Sequence, residues 1–444
     1  MALTDAQIKD ISKKISVADG FGGEVPIPAN NDAGLKTLME AVVAADADLA
    51  PIGLGIIDFT KDSTKPKIWM QNVDKSWRLG STSKVGVLFA AAQLRVDVQQ
   101  VMDLKIISAP AEFDALFKDL RLWNLSKITH TNEIASAAPR ISTLFDFGKT
   151  PIDFAGPDIN HPDITAISSK LSSKGGLKNT TIPEFAFSEL LWMMAAQSND
   201  LAADCCISEI GVPYLKAVLR KYGLFKDDEK KGMRFLLSEG FTPKFDGDAS
   251  GITVNKGTQH YRPVGNFKEY NRVTDKMAGL GFRSVQSGSP AAMTAYMIAL
   301  VGNTLAEDPR KFFDGTAGCD LIRNNMSNGK PPTLGSFIAN GTKTTVDGSS
   351  PAVNGGGTGG INDIATITRQ FDKIGILTRA NGELKPDGSA GGFLVTEFVY
   401  LETKENSGDT RPMKYAIVAL GMQTGVFANM GQPIHQALLK VNYP

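Results

Sequence analysis

Ser81-Thr82-Ser83-Lys84 places a hydroxyl and an amine one helical turn apart, where turn chemistry gives way to an apolar helical run. Trp77-Arg78-Leu79-Gly80 precedes it and Val85-Gly86-Val87-Leu88-Phe89-Ala90 follows. Ser81 therefore falls at a helix N-terminus, where unpaired N–H groups and the helix dipole favour developing negative charge. Positions i and i+3 share a helix face, so the Lys84 amine can reach the Ser81 hydroxyl. A lysine that gives up its proton on burial can serve as base to such a nucleophile. The same four residues also describe an N-cap serine followed by a solvated lysine, so the pattern needs company.

Two further stretches supply it. Gln197-Ser198-Asn199-Asp200-Leu201-Ala202-Ala203-Asp204 leads into an apolar helical run that closes on Ile210-Gly211. Read alone, Ser198 could cap that helix, and Asp200 and Asp204 could be ordinary helix-start acids. A second lysine has two candidates: Lys343 in Lys343-Thr344-Thr345, and Lys373 in Asp372-Lys373-Ile374-Gly375. Lys343 sits in a polar, turn-rich stretch where a solvated lysine is the usual outcome. Lys373 ends a strand-like run, and alone it would read as a strand-end surface charge.

Together these stretches resemble the penicillin-recognising serine hydrolases, and among them the class A β-lactamase type most closely. That family carries S-x-x-K, then S-D-N before an Ala-Ala helix ending near Ile-Gly, then K-[TS]-G on a strand. Ser198, Ala202, Ala203, Ile210 and Gly211 keep the register of the second motif. Ser289-Pro290-Ala291-Ala292-Met293 is similar to the family's Thr-Pro-x-x-Met helix start. The family needs its third-motif lysine on the inner edge strand, with a small residue two positions on so that substrate can lie against the strand. Lys373 is favoured over Lys343 because it keeps the glycine and leads into the last strands and the C-terminal helix.

The resemblance implies Ser81 as the acylated nucleophile and Lys84 as the base that takes its proton. Ser198 would relay a proton to the leaving group. Lys373 would orient Ser198 and bind a substrate carboxylate. Substrate would lie against Asp200, Gly375 and Ile376, with the backbone N–H groups of Ser81 and Ile376 as the oxyanion hole. Lys84 beside Lys373 is expected to titrate low, through like charge and desolvation. Three departures shape the expectation. Asp200 stands where S-D-N has asparagine, so it cannot donate an amide N–H to a substrate oxygen and would repel acidic groups. No E-x-x-L-N segment lies between Ser198 and Pro290, and the nearest acids, Glu269 and Asp275, lack its surroundings. The stretches before Ser198, Pro290 and Lys373 each carry roughly 30–60 residues more than the family's, a size of insertion that rebuilds a site's rim or supports assembly.

The elements that must position these groups follow from periodicity. Residues 33–48 have helical spacing. Ile52 to Phe59 and Lys67 to Met70 read as strands joined by a polar turn. Pro183 to Ala196, Leu201 to Ile210 and the run from Pro290 to Leu300 read as apolar helices, the last with Ser289 as cap. Ile364 to Phe371, Phe393 to Leu401 and Met413 to Leu420 read as strands, the last two as a hairpin, and a final helix covers roughly 431–441. Strands at both ends around a helical middle predict an α+β fold, β-lactamase/transpeptidase-like by resemblance: an antiparallel sheet flanked by helices plus an enlarged all-α domain. The expected layout is an N-terminal extension over 1–32, a sheet domain from 33–80 and 361–444, a helical domain over 81–330 and a Gly-rich loop over 331–360.

Composition sets the outer limits. The 444 residues suffice for one large or two ordinary domains. Lys plus Arg and Asp plus Glu both number 47, so no nucleic-acid or anionic-membrane partner is implied. No apolar run approaches a membrane span. The start, Met1 to Asp10, lacks a signal-peptide core. That fits a cytoplasmic protein if the chain is full length, and a periplasmic or secreted one if a leader was removed. Cys205, Cys206 and Cys319 match neither a disulfide framework nor a metal site, and Cys205 and Cys206 read as small core residues. His130, His161, His260 and His435 show no metal-ligand spacing, which speaks against a zinc hydrolase. A Ser-His-Asp triad stays open, since its members can lie far apart in a chain. The expectation is an S-x-x-K serine hydrolase acting on an amide or ester of a small or peptide-like substrate, with no metal or organic cofactor. A D-Ala-D-Ala carboxypeptidase, a β-lactamase and a non-catalytic ligand-binding module of the same fold are the alternatives; oligomeric state is open.

Overall fold

Period-two alternation builds the centre of this chain, because successive strand side chains face opposite ways. In the computed structural model the described residues are chiefly 28–119, 141–157, 185–210, 286–302, 336–340, 359–378, 393–405, 411–423 and 427–444, apart from single positions and with short pieces between. The elements that matter for the site are α1 (Ala33–Ala45), β1 (Gly53–Asp58), β2 (Lys67–Gln71), α2 (Lys84–Asp103), α3 (Phe187–Ala196) and α4 (Asp200–Ile210). The chain continues through α5 (Pro290–Gly302), β3 (Ala365–Thr378), β4 (Phe393–Glu405), β5 (Met413–Gln423) and α6 (Phe427–Asn442).

The strands form one antiparallel five-stranded sheet in the order β3-β4-β5-β1-β2. Both ends of the chain contribute, as expected, and the helical middle enters between β2 and β3. This is the α+β class read from the sequence. On one face Leu54, Ile56, Trp69, Val399, Leu401 and Ile417 bury against Leu35 and Met39 of α1 and Met430, Ile434 and Leu438 of α6. On the other, Ile57, Ile68, Phe371, Phe398, Tyr400 and Val418 pack with α2, α3 and α5. The expected helix cap at Ser289 is present, its Oγ accepting the Ala292 N–H at 3.3 Å.

Two elements run longer than their sequence patterns. The strand expected over Ile364 to Phe371 continues to Thr378 and takes in Asp372, Lys373 and Gly375. Buried polar residues had masked its alternation: Asp372 and Lys373 are 1% and 3% exposed. The last helix starts at Phe427 and carries Pro433 inside it. A helical turn, Phe337–Asn340, lies within the stretch read as loop and buries Phe337 and Ile338. Most of that stretch, with Lys343, lies outside the described residues, as do Glu269, Asp275, Cys319, His130 and His161. Cys206 is buried, as expected. No helix among the described residues is long and apolar enough to cross a membrane.

His435 on α6 is buried against Tyr415 of β5, whose hydroxyl lies 2.8 Å from Nδ1. Burial pushes its pKa down from 6.5 to about 4. The unfolded chain therefore binds a proton that the folded chain refuses as pH falls below 6.5. Stability from this group is complete above that pH and declines as pH falls to about 4, by about 3 kcal/mol in all. His435→Asn keeps an acceptor for Tyr415 and should lose that part of the acid sensitivity. Urea denaturation of both proteins at pH 7 and pH 4 measures it; parallel losses would refute it.

Candidate active site

The local fold at Ser81 is tighter than an ordinary helix start. Gly80–Ser83 forms a 3-10 turn that passes directly into α2 at Lys84. Gly80 has φ 52°, the left-handed region open to glycine, and this reverses the chain from the short strand Trp77–Arg78 into the turn. In a 3-10 helix residues i and i+3 eclipse, so Lys84 stands directly over Ser81. Its Nζ lies 2.9 Å from Ser81 Oγ.

The three adjacent hydroxyls are not equivalent. Thr82 Oγ1 donates to the Leu79 carbonyl at 2.5 Å and Ser83 Oγ to the Gly80 carbonyl at 2.6 Å, and both residues are fully buried. Ser81 is half-buried, and its hydroxyl faces the Lys84 amine. The turn thus spends two hydroxyls on its own backbone and presents the third.

Ser198 arrives from the α3–α4 connection. The sequence left open that it caps α4; instead Asn199 Oδ1 accepts the Ala202 N–H at 2.9 Å. Ser198 itself has φ 56°, a left-handed conformation that costs a non-glycine residue roughly 1–2 kcal/mol. In this strained pose both its polar groups face the site. Its carbonyl accepts from Lys84 Nζ at 2.7 Å, and its Oγ lies 3.5 Å from the same amine. Asn199→Ala should cost about 1 kcal/mol of stability through the lost cap. A denaturant midpoint equal to that of the parent would contradict the capping role.

Lys373 approaches from the sheet. Its Nζ is 2.7 Å from Ser198 Oγ and 3.2 Å from the Ile374 carbonyl. Ser198 Oγ therefore sits between two amines, with Lys84 0% and Lys373 3% exposed. Lys373 lies on β3, which among the described residues pairs with β4 alone and forms the edge of the sheet. Two residues on, Gly375 faces the serine turn. A methyl group there would meet the Leu79 carbonyl oxygen at 2.2 Å, Thr396 Oγ1 at 2.6 Å and the Ser81 nitrogen at 3.0 Å. The small residue is thus what lets the turn and the strand touch.

Of the residues singled out in the sequence, Ser81, Lys84, Ser198 and Lys373 converge, and Gly375 lies against them. Ile376 follows on β3 opposite Val395, and Asp200 opens α4; the side chains of both lie outside the described residues. His435 packs in the core on the other face of the sheet. No group of three His, Cys, Asp or Glu that could hold a metal occurs among the described residues. Sequence reasoning missed Asn199 and Thr396. The Asn–x–x spacing before Ala202 was a capping signal that Ser198 obscured, whereas nothing in the sequence announces Thr396.

No family profile and no curated protein matches this chain. Among solved structures it is similar to a class A β-lactamase from Bacteroides cellulosilyticus, with 10% identity over 93% of this chain and 100% of that one, at a TM-score of 0.39. The TLA-3 extended-spectrum β-lactamase shows 11% identity, 92% and 100% coverage and a TM-score of 0.41. A β-lactamase from Xanthomonas campestris shows 13% identity, 92% and 96% coverage and a TM-score of 0.37. Likenesses this remote assign no chemistry to the chain.

Proposed function

We propose that this protein is a serine hydrolase that cleaves an amide or ester of a small or peptide-like substrate through a Ser81 acyl-enzyme. One observation carries the reading: a buried amine, Lys84 Nζ, lies 2.9 Å from a half-exposed serine hydroxyl and is linked through Ser198 to a second buried amine. Burial and a neighbouring ammonium both penalise the charged form of a lysine, which favours a neutral base. A neutral amine can donate one N–H to the Ser198 carbonyl and direct its lone pair at the Ser81 O–H.

In the acylation step, Ser81 Oγ attacks the substrate carbonyl carbon while its proton passes to Lys84 Nζ. The oxygen of the tetrahedral intermediate takes the negative charge, facing the N–H groups of Ser81 and Ile376. Collapse breaks the bond to the leaving nitrogen or oxygen, which takes the Ser198 proton. Ser198 recovers a proton from the Lys84 ammonium, and Lys373 holds its oxygen throughout. Water then adds to the acyl-enzyme and frees Ser81.

Intact-mass spectra after incubation with a fluorescent penicillin and, separately, an activated aryl ester test the reading in wild type and Ser81→Ala. An adduct or ester turnover that disappears in Ser81→Ala is expected. Persistence of a penicillin adduct would mark a penicillin-binding protein with slow deacylation, whereas ester turnover alone would mark an esterase or amidase. Neither adduct nor turnover in wild type would overturn the reading.

A further inference from the structure

Resting on the acyl-enzyme reading, the geometry points to Thr396 as the residue that positions the Ser81 turn against strand β3. Thr396 is fully buried on β4 directly opposite Gly375 in the sheet register. Its Oγ1 lies 2.6 Å from the Leu79 carbonyl oxygen, 3.1 Å from Thr82 Oγ1 and 3.4 Å from the Gly375 carbonyl. The Leu79 carbonyl also accepts the Thr82 N–H at 3.1 Å and the Thr82 hydroxyl at 2.5 Å. Those two bonds lie within the turn. The bond from Thr396 crosses from the sheet.

This difference decides the role. Bonds inside the turn shape it but cannot set its distance from β3. The Thr396 hydroxyl pulls the residue two before Ser81 onto the sheet, at the place where Gly375 leaves room for the Ser81 nitrogen. The oxyanion donors sit on either side of that seam: Ser81 N–H on the turn and Ile376 N–H on the strand. Their separation is thus fixed by a contact that touches neither substrate nor reacting atoms. Misplacement of catalytic groups by about 1 Å can cost on the order of 10²-fold in rate.

The bond can be removed without orphaning its acceptor, because Thr82 still satisfies the Leu79 carbonyl. Thr396→Ala is preferred to valine, whose methyl would press on that oxygen. With Thr396→Ala the maximal rate of Ser81 acylation by the aryl ester should fall on the order of 10²-fold. The half-saturating ester concentration should stay within about threefold, since substrate binding does not pass through this contact. Thr396→Ser should restore the rate. Thr82→Ala removes the turn's own hydroxyl from that carbonyl and its 3.1 Å contact with Thr396 Oγ1 but leaves the bond from Thr396 to Leu79, so it should cost less than Thr396→Ala. Thermal unfolding confirms folding of each variant, and Thr396→Cys, with similar volume and a weak donor, replaces the alanine variant if that is not recovered folded.

A Thr396→Ala protein that acylates at the parent maximal rate overturns the positioning role while leaving the acyl-enzyme intact. Equal losses in Thr396→Ala and Thr396→Ser also overturn it, because the effect would then follow volume and not the hydroxyl. Absence of any Ser81-dependent adduct in wild type is a distinct failure: it removes the acyl-enzyme and the role together.

Discussion

Lys84→Met should lower kcat/KM for an activated aryl ester on the order of 10³-fold while the protein stays folded, a loss of about 4 kcal/mol in transition-state stabilisation. The size follows from what the amine touches. Lys84 Nζ faces Ser81 Oγ at 2.9 Å, and among the described residues no histidine stands beside that serine to take its proton instead. Methionine fills the fully buried space without offering a base. It also leaves the Ser198 carbonyl without its 2.7 Å donor, which should cost about 1–3 kcal/mol of stability. Activity and denaturant stability measured on the same preparation separate the two effects. A folded Lys84→Met protein with the parent rate would eliminate Lys84 as the base.

Gly375→Ala carries the second large effect, and here the cause is contact rather than chemistry. The added methyl would lie 2.2 Å from the Leu79 carbonyl oxygen and 3.0 Å from the Ser81 nitrogen. Both are backbone atoms, so no rotamer change can relieve the clash, and the turn must move off the strand. Overpacking of this kind costs about 1–3 kcal/mol. Turnover should fall by on the order of 10²-fold or more, because the proposed nucleophile and oxyanion donor would move with the turn. The melting temperature should drop in the same variant. Parent turnover in Gly375→Ala would mean that the turn and β3 can separate freely, and the site would have to be rebuilt without that seam.

Much of this arrangement is legible in the sequence. Apolar, β-branched and aromatic runs over Ile52 to Phe59 and across the Phe393–Leu401 and Met413–Leu420 hairpin reported real strands, because both faces of those strands are covered by apolar layers. Ser81 and Lys84 were legible because i,i+3 spacing is a local property of a helical turn. Lys373, favoured in the sequence on its glycine and its strand, reaches Ser198, while Lys343 lies outside the described residues.

Other features could not be read from local pattern. The strand pattern breaks off at Asp372 and Lys373 because charged residues interrupt it; hydrogen-bond partners, Gln370 for Asp372 and Ser198 for Lys373, are what make such buried residues tolerable there. Ser198 looked like a cap because serine suits one, while the left-handed backbone that turns it into the site depends on Asn199 taking the capping bond. Thr396 carried no signal at all.

The sequence by itself determined most of the described elements, the α+β class and the spacing of the Ser81–Lys84 pair, since each depends on side-chain periods of two, three or four residues that hold wherever the segment is placed. Tertiary structure alone decided that Ser198 Oγ lies between Lys84 and Lys373, and that Gly375 and Thr396 hold the Ser81 turn to the sheet. Those contacts join residues more than a hundred positions apart. Their distances are set by how the helical layer packs on the edge strand, a property that no stretch of the chain possesses until the sheet has closed.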